Sequence, residues 1–290
     1  MSYVAGNSSV TSDNFVPVAA FQYDRNCGVS SQMITALHND GVVCLCNSFD
    51  RSWLDLIEQG IESALGGAST DVDIVKRDGD AGSFSFSSGA WQTVAPFHRF
   101  IFDSHLADIA WSLLDTTELV LFYDFLLVKQ ARSDSAGTPW HQDHSYYPLD
   151  GHKAINCWVA LDDIPMSSAL RFVRGSHSSG QLYRAVDFDD PQRDYRYARK
   201  ELALPSVSEL TQAQDIMACE MKAGDMLVWT TYTLHSAPGN TLNHRRAAFS
   251  VNWLGDDIVF NGKPSLATYS DPSQVVGKSI ACSKFPKIRG

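Results

Sequence analysis

From residue 119 onward the chain breaks into short β-forming runs, at 119–128, 154–161, 170–173, 226–230 and 246–253, each bounded by turn residues. Before them the pattern is helical. Residues 31–39 run into Asp40-Gly41 and an apolar strand at 42–46. Residues 52–65 place Leu54, Ile57, Ile61 and Leu65 on one helical face, and Gly66-Gly67 stops them. A further helix is expected over 103–114. Helices first and strands later predict an α+β chain, mainly β, whose later part is an antiparallel double sheet.

No repeat, linker or block of like charge divides the 290 residues, so a single domain over 1–290 is expected. The polar, poorly periodic stretch 181–222 stands apart. A long irregular insertion in a compact domain is a functional lid or a disordered loop, and a lid over the mouth of the sheets is the favoured reading. Hydrophobic residues make up 44% and charged residues 19%, an ordinary globular balance. A net charge of -10 argues against a nucleic-acid partner, which would need a basic stripe. No apolar run spans a bilayer, and neither a signal layout nor a peroxisomal tail is present, so a cytoplasmic protein without a membrane partner is expected. Cysteines at 27, 44, 46, 157, 219 and 282 form no Cys-x2-Cys pair, which speaks against structural zinc and for reduced thiols.

The chemistry concentrates at His141-Gln142-Asp143 and at His235. Side chains two apart on an extended segment point to one side, so His141 and Asp143 converge. His235 follows Ala223-Gly224-Asp225 and the run 226–230, so a neighbouring strand can bring it beside the first pair. Two imidazoles and one carboxylate leave the opposite face of a metal open, the usual ligand set of non-haem Fe(II) oxygenases. His144 points away if the strand continues; His152, His177 and His244 fall in polar turns. A chelated co-substrate needs a cation at its far carboxylate, and a guanidinium offers a two-pronged donor. Arg246 shares parity with Ala248, Ser250 and Asn252, a small polar face, whereas Arg245 shares parity with Ala247, Phe249, Val251 and Trp253. Arg246 is therefore the expected anchor, with a surface arginine at a strand start as the rival role. The same parity makes Asn156 and Trp158 a site wall, with ordinary core as the rival role for Trp158. Tyr146 and Tyr147, just after the metal-binding turn, and Tyr183, opening the insertion, are the candidate substrate contacts, at least one of which is expected to touch substrate, with packing of a loop against the barrel as the rival role.

The chain resembles the phytanoyl-CoA dioxygenase family of Fe(II)/2-oxoglutarate oxygenases. The stretches that carry the resemblance are Asp40-Gly41-Val42-Val43, Thr138-Pro139-Trp140-His141-Gln142-Asp143, Cys157-Trp158-Val159-Ala160-Leu161-Asp162-Asp163, Leu170-Arg171-Phe172-Val173-Arg174-Gly175-Ser176-His177, and Ala223-Gly224-Asp225 leading to His235 and Arg246. The resemblance implies a double-stranded β-helix (jelly roll, cupin-like) with flanking helices. It implies Fe(II) held by His141, Asp143 and His235, with 2-oxoglutarate and O2 as co-substrates. Arg246, eleven residues after His235, would anchor 2-oxoglutarate, and Lys129 matches a position facing the site. Ser167-Ser168-Ala169 and Arg174 depart from the family pattern at the pocket rim. The implied activity is oxidation, by default hydroxylation, of an unactivated carbon in a small, largely apolar metabolite of secondary metabolism. The rival is a cupin-like metal-binding protein without oxygenase activity, and a zinc hydrolase is a weaker one. A homodimer is left open.

Overall fold

The computed structural model describes residues 15–68, 72–76, 79–188, 195, 197, 202–204 and 215–290. Much of the insertion at 181–222 therefore lies outside the described residues. The amino-terminal part contains β1 (Val16–Pro17), β2 (Ala20–Gln22), α1 (Ser31–Asp40), β3 (Val42–Cys46) and α2 (Arg51–Ser63). Next come β4 (Val72–Val75), β5 (Phe84–Ser88), α3 (Ala95–Asp103) and α4 (Leu106–Leu114). The β-rich part runs through β6 (Leu119–Lys129), β7 (Thr138–His141), β8 (Leu149–Asp150), β9 (Ala154–Ala160) and β10 (Arg171–Val173). It continues with β11 (Ile216–Ala218), β12 (Met226–Thr230), β13 (His235–Ala237), β14 (Arg246–Leu254), β15 (Val259–Phe260) and β16 (Lys287–Arg289).

Two sheets face each other as a double-stranded β-helix. The major sheet has the order β2-β3-β12-β9-β14-β6-β5-β4, with β16 also on β6, and the minor sheet β1-β11-β10-β13-β7. Between them lie Val42, Cys44, Trp158, Leu227, Trp229 and Ala248 of the major sheet, and Phe172 and Met217 of the minor. On the outer face of the major sheet, Val43, Leu45, Cys157, Val159, Val228, Phe249 and Trp253 pack against Leu54, Ile57, Phe97, Phe100 and Ile109 of the helices. Each such fully buried side chain contributes roughly 1.5–3 kcal/mol. The helices are held close by small contacts. A Cβ at Gly60 of α2 would lie 2.3 Å from the Phe97 ring, which itself stacks on Phe249 at 4.5 Å.

The predicted helix over 103–114 is α4, which starts at Leu106; a separate helix, α3, with Pro96 in its first turn, precedes it across a break at Ser104. Leu65 does not join the face of Leu54, Ile57 and Ile61: α2 ends at Ser63 and Leu65 is 40% exposed. Helix α1 ends at Gly41, whose φ of 83° suits glycine and whose missing side chain leaves room for His177 Nδ1 and Thr233 Oγ1. The Gly175-Ser176-His177 turn locks this junction. His177 Nε2 faces the His38 carbonyl at 2.9 Å, and Ser176 Oγ accepts the Leu234 N–H at 2.9 Å, one residue before His235.

Candidate active site

β7 ends at His141, Gln142 remains extended (φ -114°, ψ 131°), and Asp143 opens the single 3-10 turn Asp143–Tyr146. One extended residue between them suffices to send both side chains to the same side. The turn then carries His144 off, with Nδ1 3.0 Å from Thr231 Oγ1 and its ring stacked on Tyr232 at 4.3 Å. A turn, and not a continuing strand, is what removes His144 from the site. Gln142 is buried and holds the start of the insertion: its amide nitrogen donates to the carbonyls of Gln181 and Tyr232, and its oxygen accepts the Tyr183 N–H.

His235 opens β13 directly opposite His141 in the antiparallel ladder. Ligand atoms of His141, Asp143 and His235 all lie within 4.8 Å of one another. His141 Nε2 is 3.4 Å and His235 Nε2 3.6 Å from Asp143 Oδ1. His141 Nδ1 faces the Pro139 carbonyl at 2.9 Å, and His235 Nδ1 faces the Thr233 carbonyl at 3.0 Å. A carbonyl only accepts, so both Nδ1 atoms carry the hydrogen and both Nε2 atoms present lone pairs inward. The Trp229 indole donates to Asp143 Oδ2 at 3.0 Å, which leaves Oδ1 for the shared point. Burial pushes the Asp143 carboxyl up, but the two imidazoles and the indole outweigh it and hold the pKa at about 2. Burial, reinforced by His141, pushes His235 down to about 4. Two neutral imidazoles and one carboxylate on one side of a point fit Fe(II), with the opposite side open.

Arg246 begins β14 opposite Lys129 and is buried on the inner face. Its Nη1 donates to the Ser168 carbonyl at 2.7 Å, and burial alone pushes its pKa down to about 10. No carboxylate pairs with it among the described residues. The Lys129 ammonium, also buried, donates to the Pro238 carbonyl at 3.0 Å. Arg245 goes to the other face, where it meets Glu58 of α2 and Asp162, the latter at 3.2 Å. Asn156 sits on the inner face across from Trp229, and its Oδ1 has no partner among the described residues. Trp158 is buried in the inner core.

The three expected tyrosines part company. Tyr146 is half-buried, with its ring 6.0 Å from that of His141 and its hydroxyl donating to the Val186 carbonyl. Tyr147 is fully buried against Phe122, 2.7 Å from the Tyr123 hydroxyl, where it braces the wall. Tyr183 packs with Trp140, Val173, Ile216 and Leu234 on the outer face of the minor sheet, away from the triad. Of the three, Tyr146 is the one that stands against the triad. Two residues escape the sequence reading. Trp229 shares inward parity with Leu227, a signal that was legible. Phe188 lies in the aperiodic insertion, 41% exposed with its ring 4.8 Å from that of His141, and no pattern points to it.

A double-stranded β-helix that presents two imidazoles and a carboxylate on its inner face defines the class of jelly-roll proteins with a candidate metal site. The phytanoyl-CoA dioxygenase (PhyH) family model matches residues 37–248, and the chain belongs to that family. It is 24% identical over 168 residues to a phytanoyl-CoA dioxygenase of Arabidopsis thaliana, covering 56% of this chain and 53% of that protein. The chain thus spans about half the length of that relative. Its fold is similar to that of SnoK, a non-haem alpha-ketoglutarate-dependent carbocyclase from nogalamycin biosynthesis, with a TM-score of 0.70 and 20% identity over 89% of this chain and 96% of that one. It is similar also to the epimerase SnoN in complex with Fe3+, alpha-ketoglutarate and nogalamycin RO (TM-score 0.67, 20% identity, 89% and 98% of the two chains). No described helix is long and apolar enough to cross a membrane.

Proposed function

We propose that the chain is an Fe(II)- and 2-oxoglutarate-dependent dioxygenase that oxidises, by hydroxylation as the default outcome, an unactivated carbon of a small, largely apolar metabolite. The observation that carries this is Arg246. An unpaired guanidinium in a dry interior costs several kcal/mol, roughly, unless an anion meets it. The far carboxylate of 2-oxoglutarate is an anion of the right geometry for two parallel N–H donors. Family membership and the neutral-imidazole triad support the same reading.

With iron bound, 2-oxoglutarate and O2 together supply an oxidant able to attack an unactivated C–H bond. The chain's own residues bind and orient. His141, Asp143 and His235 would hold the metal, and Trp229 fixes which carboxylate oxygen faces it. Arg246, with Lys129 beside it, would take the distal carboxylate, and Asn156 offers an unpaired oxygen on the same face. The described start of the insertion, 181–188, supports its reading as a lid: Gln142 ties down its first residues, Tyr146 binds Val186, and Phe188 rests on His141. An aromatic cover of this kind would help to exclude water from the reacting carbon. The setting of SnoK and SnoN in nogalamycin biosynthesis supports a secondary metabolite as substrate.

The test is an anaerobic titration of the protein with Fe(II) and then 2-oxoglutarate, followed by visible absorption. A band that appears only with both components, and is lost in Arg246→Ala, is the expected result. Metal binding with no 2-oxoglutarate-dependent band would favour the cupin-like protein without oxygenase activity.

A further inference from the structure

A band of aromatic side chains runs along the inner face of the major sheet from the Arg246 end. In the β5–β6 ladder Phe84 lies opposite Lys129, Phe86 opposite Leu127 and Ser88 opposite Phe125, so all three phenylalanines share the inward parity of Lys129. The Lys129 ammonium sits 5.5 Å above the Phe84 ring. Ring centroids are 5.2 Å apart for Phe84 and Phe86, 6.0 Å for Phe86 and Phe125, and 6.5 Å for Phe125 and Tyr123. The three phenylalanines are only half-buried, whereas Leu126 and Val128 on the opposite face of β6 are fully covered. At the metal end Phe188 is likewise uncovered beside His141. The polar members of the wall come from β14, where Ser250 lies opposite Phe125 and Asn252 opposite Tyr123. Both are buried to 1% exposure, and neither Ser250 Oγ nor Asn252 Nδ2 has a hydrogen-bond partner among the described residues.

We infer that this band is the substrate wall, and that the substrate is a flat, uncharged, unsaturated ring system carrying a hydroxyl or carbonyl on its edge. The inference rests on the oxygenase reading of the adjoining triad. Half-covered phenyl rings leave apolar area in water, and a ligand that covers them recovers it. Phenyl faces pair with other π faces in offset or edge-on contact at 4.5–7 Å, the spacing this band already keeps within itself. A rigid ring loses no torsional freedom on that wall, whereas a saturated chain must freeze its bonds there. Lys129 and Arg246 stand at the co-substrate end of the band and would be matched by 2-oxoglutarate, so they leave no call for a charged substrate. The unpaired Asn252 amide and Ser250 hydroxyl supply donors for an oxygen on the ring edge.

The test uses the anaerobic protein loaded with Fe(II) and 2-oxoglutarate, titrated with fluorescent 2-hydroxyanthracene and with decan-1-ol as a competing saturated alcohol. Phe86→Leu and Phe125→Leu keep an apolar side chain but remove the flat face, and Asn252→Leu removes the donor. We expect 2-hydroxyanthracene to bind and decan-1-ol to displace it only at much higher concentration. Each Phe→Leu change should weaken ring binding roughly five- to tenfold and leave decan-1-ol unaffected. Asn252→Leu should weaken 2-hydroxyanthracene but not unsubstituted anthracene. Equal affinity for the saturated alcohol, or ring binding untouched by both leucine variants, overturns the inference. If the 2-oxoglutarate-dependent absorption band forms normally while ring binding fails, the wall is wrong and the oxygenase reading stands. If the band never forms yet ring binding follows the expected pattern, the oxygenase reading falls and the wall remains.

Discussion

Arg245 and Arg246 are neighbours in the chain and opposites in the molecule. Arg245 turns to the helix side of the major sheet, where Glu58 and Asp162 neutralise it. Arg246 turns inward, more deeply buried, and among the described residues finds only the Ser168 carbonyl. The contrast extends along β14. Ala247, Phe249, Val251 and Trp253 are absorbed into the helix-backed core, with the Trp253 indole N–H as the one polar side-chain group among them and unpartnered, while on the inner face Ser250 Oγ and Asn252 Nδ2 join the Arg246 cation in lacking a matching group among the described residues. A sheet face whose groups are all matched from within the chain is structural. A face that keeps a cation and several hydrogen-bonding atoms unmatched is arranged for something the chain does not itself contain.

The largest effects should follow from emptying the inner face. Asp143→Ala, His141→Ala or His235→Ala should reduce turnover to background while leaving far-UV circular dichroism and the melting temperature near wild type, because none of the three braces the helix-backed core. Appreciable activity in His235→Ala with iron still bound would remove it from the ligand set. The paired arginines come next. Arg246→Ala should raise the 2-oxoglutarate requirement by about one to two decades, since a charge-assisted hydrogen bond is worth about 1.5–3 kcal/mol, and should not destabilise the 2-oxoglutarate-free protein, because it removes a buried unmatched charge. Arg245→Ala should do the reverse, leaving 2-oxoglutarate affinity intact and lowering stability by about 1–2 kcal/mol as Glu58 and Asp162 lose their partner. Chemical denaturation and the 2-oxoglutarate titration separate the two. A larger titration effect in Arg245→Ala would exchange the assigned faces.

What was legible in the sequence divides along the same line. Strand parity assigned both arginines correctly because β14 is long, uninterrupted from Arg246 to Asn252, and paired on both sides. The His141 and Asp143 geometry needs only one extended residue, so local spacing was enough. Strands β7 and β13, four and three residues long, carry the ligands but hold their shape through pairing with each other, which no local propensity reports. Helix α3 was not anticipated from the sequence; Pro96 sits in its first turn, where the missing N–H costs nothing. Tyr183 and Phe188 are five residues apart, and one packs on the outer face of the minor sheet while the other rests on His141. Aperiodic segments take their direction from tertiary contacts, so the choice between those two aromatics was not in the pattern.

Trp229 tests whether the inner face works through positioning as well as through ligands. Trp229→Phe keeps the ring in the inner core and removes the N–H that occupies Asp143 Oδ2. Loss of such an outer partner typically lowers metal affinity ten- to a hundredfold, so iron should bind about tenfold more weakly. The 2-oxoglutarate affinity of the iron-loaded fraction should not move. An unchanged iron affinity by competition with a chelator would reduce Trp229 to packing.

Asp124 sharpens the comparison, because it is an unmatched carboxyl on the structural face. It lies on β6 opposite Val251, fully buried, and the amides of Gly89 and Trp91 approach it without forming well-aligned bonds to its oxygens. Burial, partly offset by those amides, pushes its pKa up to about 7. The sign follows directly. A carboxyl that ionises near 7 when folded but near 4 when unfolded takes up protons in the folded state, so its favourable contribution holds at low pH and is lost as pH rises through about 7. Asp124→Asn stays neutral at every pH and nearly keeps the shape. The variant should therefore gain on wild type between pH 5 and pH 8 by about 2–3 kcal/mol in denaturation experiments, since each pKa unit is worth about 1.4 kcal/mol. The iron and 2-oxoglutarate titrations should be unaffected, because the residue belongs to the other face. A stability difference flat in pH would mean that Asp124 is ionised and matched after all, and the helix-backed face would then hold no unmatched carboxyl on β6.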